Sequence, residues 1–156
     1  MTLKDKFFMD IAERTAEQSH CVSKHVGALL VKDGRIISMG YNGTPSGYVH
    51  CDRYFLYDQT AISSDISVEE FRSIHHKWSD IHEIHAEMNA IMFAAKNGIS
   101  VNGATLYCNY FPCQHCLKNL IQTGIKRIVY KTEYDLGQYN PEFLEFIKKN
   151  IVIELI

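Results

Sequence analysis

Two short motifs constrain this chain more than any other feature: His85-Ala86-Glu87 and Pro112-Cys113-Gln114-His115-Cys116. Each stands at the start of a predicted helix. Together His85, Cys113 and Cys116 offer one imidazole and two thiolates, the ligand set of a catalytic zinc whose fourth position stays open to water. Cys113 and Cys116 lie one helical turn apart, so both sulfurs can face one ion. A helix N-terminus carries partial positive charge and free N–H groups, which lower thiol pKa values and help hold thiolates. Glu87 lies two residues beyond His85 and can reach a metal-held water without being a ligand. Zinc brings the pKa of such a water to about 7. A carboxylate beside it can take the proton and hand it on. A lone C-x-x-C would be a weak signal, shared with redox and structural zinc sites. The competing reading is a closed zinc site with a fourth protein ligand, which leaves Glu87 without a task.

The elements around these motifs read as one α/β layered sheet. Thr2 and Asp5 form a capping box, with aspartate in place of glutamate, ahead of a helix over 3–18. Phe7, Phe8 and Ile11 are expected on one side of it. Residues 26–31 read as a buried strand, Asp33-Gly34 as a hairpin turn and 35–39 as the returning strand. A Gly/Pro-punctuated loop follows over 40–47. Residues 48–84 are the least regular and read as an insertion over the core, with Ser67 and Glu70 as a second capping box before a short helix over 69–77. Then helices over 85–97, 113–123 and 141–149 alternate with strands over 104–109, 125–131 and 151–155. On the first of these helices Met88, Ile91, Met92 and Ala95 fall at helical spacing, and Gly98 is its stop. The last two strands flank a helix, which favours a parallel pair. The expectation is a three-layer α/β/α fold with a mixed sheet of about five strands.

Composition narrows the function. The 156 residues suit one domain, 1–156, and an apolar share of 46% is enough for one core. No apolar run approaches the roughly 20 residues that span a membrane. The first ten residues lack the apolar centre of a signal peptide, so a cytoplasmic location is expected. The formal net charge of −2 lacks the basic excess of a protein that grips a nucleic-acid polymer, and favours a small substrate. Five cysteines, an odd number, beside eight histidines suggest metal rather than a disulfide framework.

H-x-E followed by P-C-x-x-C is the signature of zinc nucleobase deaminases. The match extends further. His85-Ala86-Glu87-Met88-Asn89-Ala90-Ile91 and Gly40-Tyr41-Asn42-Gly43-Thr44-Pro45 resemble the motifs of deoxycytidylate (dCMP) deaminases of phage and bacterial type. The resemblance runs over about 3–134. It implies the cytidine-deaminase fold, hydrolysis of dCMP to dUMP and ammonia, a hexamer, and control by dCTP as activator and dTTP as inhibitor. It implies that Asn42 helps hold the nucleotide and that the Ala86 amide lies near the base. For Asn42 the plainer reading is a turn residue tolerating positive φ beside Gly43.

The same resemblance implies a second zinc. Phage-type enzymes hold one with two cysteines, a histidine and a glutamate, and Cys21, Cys51, His75 and Glu83 match those positions. His82 competes with Glu83, since imidazole is the more usual ligand of a structural zinc. The plainer reading leaves these groups unliganded. Cys108, within a strand, reads as a buried structural thiol. His20, His25, His50 and His115 are not expected to bind metal. A 5′-phosphate needs donors or positive charge, for which Ser23, Lys24, Arg53 and Tyr134 are candidates. Tyr134 follows a strand's carboxyl end, where α/β sheets place ligands, and matches a tyrosine of the phage enzymes. Lys24 and Arg53 taken singly read more plainly as solvated charges. Phe93 and Lys96 could meet a neighbouring subunit, with core packing the plainer reading for Phe93.

Three alternatives stay open at this point. One is a deaminase of tRNA adenosine or DNA cytosine, which shares both motifs. Another is a free cytidine deaminase, which needs no phosphate donors. The third is a catalytically inactive zinc-binding module, against which Glu87 argues.

Overall fold

The computed structural model describes residues 2–58, 66–133 and 139–156. Helix α1 (Leu3–Ala16) leads into strands β1 (Gly27–Lys32) and β2 (Arg35–Tyr41). A short turn α2 (Cys51–Arg53) runs into a π-helical turn over Tyr54–Asp58, and α3 (Val68–His82) follows. Then come α4 (Ala86–Lys96), β3 (Thr105–Tyr110), α5 (Gln114–Gln122), β4 (Arg127–Thr132), α6 (Pro141–Asn150) and β5 (Val152–Leu155). The five strands form one mixed sheet in the order β2-β1-β3-β4-β5. The β1–β2 and β1–β3 pairs are antiparallel, and the β3–β4 and β4–β5 pairs are parallel. The hairpin closes as expected, with Asp33 and Gly34 both at positive φ, the backbone that a two-residue turn between twisted strands requires.

Alternation along the strands produces the layers. Ala28 and Leu30 of β1, Leu106 and Cys108 of β3 and Ile128 of β4 face α4, α5 and α6. Leu29, Val31, Tyr107 and Val129 point the other way, onto Phe8, Met9 and Ala12 of α1. A sheet covered on both faces needs apolar residues at successive positions, which explains the unbroken apolar run of β1. The expected three-layer, mixed five-stranded architecture is what the chain adopts.

Three local expectations need correction. Phe7 is 58% exposed, because α1 buries the stripe through Asp5, Phe8, Met9, Ala12 and Thr15, and Phe7 falls about a quarter turn off it. Helix α3 runs beyond 77 to His82, and its Phe71, His75 and Trp78 pack against Phe55. On α4 the buried face is Ala86, Glu87, Ala90 and Ala94, whereas Met92 and Phe93 are more than half exposed and Ala95 is exposed. The reason lies in β2. A Cβ on Gly40 would stand 2.5 Å from the Ala86 carbonyl oxygen and 2.5 Å from the Ala90 nitrogen. Only glycine against alanines lets helix and strand come this close, so Met92 and Phe93 turn outward while Met88 and Ile91 pack, partly buried, against the core.

Candidate active site

His85 and Cys113 are the N-caps of α4 and α5, and neither makes a side-chain cap hydrogen bond. Their side chains are thus left to each other, and the two helix starts meet. The His85 Nδ1 lies 3.4 Å from the Cys113 sulfur and 3.4 Å from the Cys116 sulfur. A tetrahedral zinc about 2.0 Å from nitrogen and about 2.3 Å from sulfur separates those atoms by roughly 3.5 Å. The donors therefore fit one ion. The Cys113 thiol is held at about 4, far below the usual thiol range, chiefly by its hydrogen bond with Cys116, and His85 adds to this. Its thiolate in turn raises the His85 imidazole to about 9. This cluster is open on one side, with His85 exposed, Cys113 intermediate and Cys116 buried.

Glu87 sits in the first turn of α4 and is 4% exposed. Burial pushes its carboxyl above the ordinary range, and the imidazole of His85 pulls the other way. It is not among the grouped ligand atoms. A buried carboxylate of raised basicity beside an open three-donor cluster is suited to moving protons rather than to holding metal.

A second cluster gathers Cys21, Cys51, His75 and Glu83, with all ligand atoms within 4.8 Å of one another. The His75 Nε2 lies 3.4 Å from the Cys21 sulfur and 3.3 Å from the Cys51 sulfur, again the spacing of a shared ion. Main-chain N–H groups of Ser23 and Lys24 also serve the Cys21 sulfur, and that of Val22 donates to Cys51. Burial raises the Glu83 carboxyl. Its Oε2 accepts from the Ser79 hydroxyl at 2.6 Å, and its buried Oε1 makes no hydrogen bond of normal geometry. The Glu83 carboxylate completes a four-donor set. His82 points elsewhere, bonded to the Trp78 carbonyl at 2.7 Å and stacked between Trp78 and Tyr48. Unlike the first cluster, this one is closed, with both cysteines and His75 buried.

The other expected residues divide. Asn42 is buried, and its φ is not positive, so it is no tight-turn residue. Its side chain accepts from the Val26 N–H at 2.8 Å and donates to the Lys24 carbonyl at 2.9 Å, which clamps the approach to β1. Ala86 is fully buried as the first residue of α4. Lys24 lies 5.5 Å from the Tyr110 ring, at the end of the strand that leads to Cys113. Ser23 is exposed beside it. Arg53 borders a cleft of 410 Å³ with His20, His50 and Asp52. Tyr134 lies outside the described residues. Cys108 is buried and its thiol is pushed well up by burial, as a structural cysteine should be. His20 bonds Asp52 at 2.8 Å and stacks on His50, and the His25 ring bonds the Cys21 carbonyl.

Two supporting residues escape sequence reasoning. The Tyr139 hydroxyl donates to the Pro112 carbonyl at 2.8 Å and steadies the segment just before Cys113. Ser79 aims Glu83, a contact that its i,i+4 spacing could have suggested.

Residues 2–132 match the family of the cytidine and deoxycytidylate deaminase zinc-binding region. The chain belongs to this family. The chain is 41% identical over 154 residues to the deoxycytidylate deaminase of Enterobacteria phage T2, covering 85% of this chain and 82% of that one. The phage T4 deoxycytidylate deaminase is 40% identical over 154 residues, covering 85% and 80%. Among solved structures, the dCMP deaminase of cyanophage S-TIM5 in complex with dCMP and dUMP superposes with a TM-score of 0.75. That match has 28% identity and covers 100% of this chain and 99% of the other. The expected likeness to phage-type deoxycytidylate deaminases, and a zinc-type deaminase enzyme, are thereby met.

Proposed function

We propose that this enzyme hydrolyses dCMP to dUMP and ammonia, with Glu87 as the proton carrier and His85, Cys113 and Cys116 holding the catalytic zinc. The observation that carries the reading is the open three-donor cluster beside a buried carboxylate that is not one of its donors. A zinc ion there supplies a water acidified to near neutrality. Glu87 takes that water's proton and places it on N3 of the cytosine ring, which makes C4 electrophilic as the oxygen attacks. Glu87 then carries the remaining proton from the oxygen added at C4 to the exocyclic amino nitrogen. The C4–N bond breaks, ammonia leaves and the C4 carbonyl of dUMP forms, with the first proton kept on N3. The raised affinity of Glu87 for a proton, caused by its burial, suits both steps, since a more basic carboxylate accepts the proton more readily and can return it. The reading of the Ala86 N–H as a donor to the base is supported by its position in the first turn of α4, where helix N–H groups lack intrahelical partners.

Support for the nucleotide substrate comes from the T2 and T4 relatives and from the S-TIM5 complex. Lys24, Ser23 and Arg53 are the phosphate candidates, Lys24 near Tyr110 at the end of the strand before Cys113 and Arg53 at the cleft with His20, His50 and Asp52, and Tyr134 joins them from the likeness alone. Cys21, Cys51, His75 and Glu83 are read as a second, structural zinc site, supported by their closed four-donor geometry. A single domain over 1–156 with 48–84 as an insertion, and a homo-oligomer, specifically a hexamer, complete the proposal. Exposed Met92 and Phe93 on α4 favour association between copies. No helix among the described residues is long and apolar enough to cross a membrane. The cytoplasm, thymidylate precursor supply, and control by dCTP and dTTP belong to the same reading.

The test is ammonia release from cytidine, deoxycytidine, CMP, dCMP and dCTP by the zinc-loaded protein. The proposal expects dCMP to give the highest kcat/KM. Preference for unphosphorylated cytidine would overturn it.

A further inference from the structure

The second cluster and the catalytic cluster share a strap. Glu83 belongs to one and His85 to the other, and only Ile84 lies between them. A reach of at most about 7 Å across two residues gives little slack. Ile84 cannot slide independently, because its N–H donates to the Gly43 carbonyl at 2.8 Å and its carbonyl accepts from the Gly43 N–H at 3.1 Å. The far end of the second cluster grips the same loop. The Ser19 hydroxyl donates to the Asn42 carbonyl at 2.8 Å and accepts from the Cys21 N–H at 3.2 Å. Asn42 and Gly43 are therefore tied to Cys21 on one side and to the Glu83–His85 strap on the other.

We propose that Glu83, aimed by Ser79, is a positioning residue through which an ion in the second cluster sets the placement of the His85 imidazole. The inference rests on the two-zinc reading above. One carboxylate oxygen of Glu83 is spent on Ser79, its buried Oε1 has no hydrogen-bond partner, and the carboxylate stands within 4.8 Å of the other three ligand atoms. With an ion present the carboxylate is fixed at both oxygens. Without one, Glu83 swings on Ser79 alone, and the strap passes that freedom to His85. The second centre is thus a brace for catalysis as well as a staple for its own loops. Loss of an outer partner of a metal ligand costs about 10- to 100-fold in metal affinity, which sets the scale of the coupling.

The experiment follows metal release into an excess of chromogenic chelator from the full-length protein loaded with zinc. His85→Ala identifies the catalytic phase of wild-type release, since that variant lacks it. Glu83→Gln should bind one zinc per chain and release it at least about tenfold faster than the wild-type catalytic phase. In the cobalt-loaded form its visible ligand-field band should shift from that of the catalytic site. Ser79→Ala should keep two ions and show a smaller acceleration. Ile147→Val, a buried change in α6, should lower stability and leave the catalytic phase alone. A single ion leaving Glu83→Gln at the wild-type catalytic rate would overturn the proposal, as would one ion per wild-type chain. If Glu83→Gln does not fold, an unchanged catalytic phase in Ser79→Ala overturns it instead. Failure of the deaminase reading would look different: no ammonia from any cytosine nucleotide, with release kinetics coupled as described.

Discussion

Gly40→Ala should damage catalysis more than its chemistry suggests. The residue lies on β2, outside both metal clusters, and its φ is ordinary, so glycine is needed there for space alone. The new methyl would stand 2.5 Å from the Ala86 oxygen and 2.5 Å from the Ala90 nitrogen, against 3.4 Å or more in ordinary contact. Relief therefore requires α4 to retreat by about 0.9 Å, since both obstructing atoms are helix backbone and cannot rotate away. Overpacking of this kind costs about 1 to 3 kcal/mol, within the roughly 5 to 15 kcal/mol of a typical domain, so the protein still folds. The retreating turn carries Glu87 and is anchored by His85. A misplacement near 1 Å at reacting groups costs on the order of 100-fold in rate. Steady-state deamination, with thermal melting on the same sample, separates the two effects. The expected result is a modest fall in Tm with a large fall in kcat. A variant with parental kcat would refute the claim that close approach of β2 places the catalytic helix.

Further outcomes follow from other contacts. Asp5, nearly buried, accepts from Arg127 at 2.7 Å and from the Tyr107 hydroxyl at 2.8 Å, so Arg127→Ala should cost roughly 2 to 3 kcal/mol, less than a fully buried pair because Arg127 is partly exposed. Arg127 holds the Asp5 carboxyl far below the usual range, so this stabilisation is complete above the unfolded pKa of about 4 and declines as pH falls below it. Tm measured against pH should fall on the acid side in wild type and less steeply in Arg127→Ala. Ser67→Ala removes the reciprocal cap of α3 and should cost about 1 kcal/mol in chemical denaturation. Initial rates against dCMP should be sigmoidal, become hyperbolic with dCTP and fall with dTTP, and hyperbolic rates blind to both would remove the regulatory proposal alone.

Much of this was legible in the residues. Asp33-Gly34, the Thr2 and Ser67 capping boxes and the Gly98 stop each name a local backbone geometry, and each stands where expected. The H-x-E and P-C-x-x-C spacing foretold two helix starts converging on one point, because three donors to one ion admit little else. What escaped reading depends on partners distant in sequence. Of Met88, Ile91, Met92 and Ala95, set at helical spacing on α4, Met88 and Ile91 pack against the core, but the glycine opposite, 46 residues before Ala86, puts alanines on the innermost face and leaves Met92 and Ala95 exposed. Asn42 read in its plainer form as a turn residue of positive φ, whereas its φ is not positive and its side chain bonds the backbone of 24–26. Helix α3 outran its expected end because Trp78 packs on Tyr54 and His82 on Tyr48, rings that no local pattern pairs with them.

The central claim is that Glu87 moves protons without holding the metal. Glu87→Gln keeps the side chain's shape and removes its basicity. Ammonia release from dCMP and zinc content should be measured on the same samples of wild type, Glu87→Gln and His85→Ala. The account predicts that Glu87→Gln retains zinc and loses at least about 100-fold in kcat, the scale of general acid–base catalysis, while His85→Ala loses both the catalytic ion and turnover. Near-parental turnover by Glu87→Gln would contradict it.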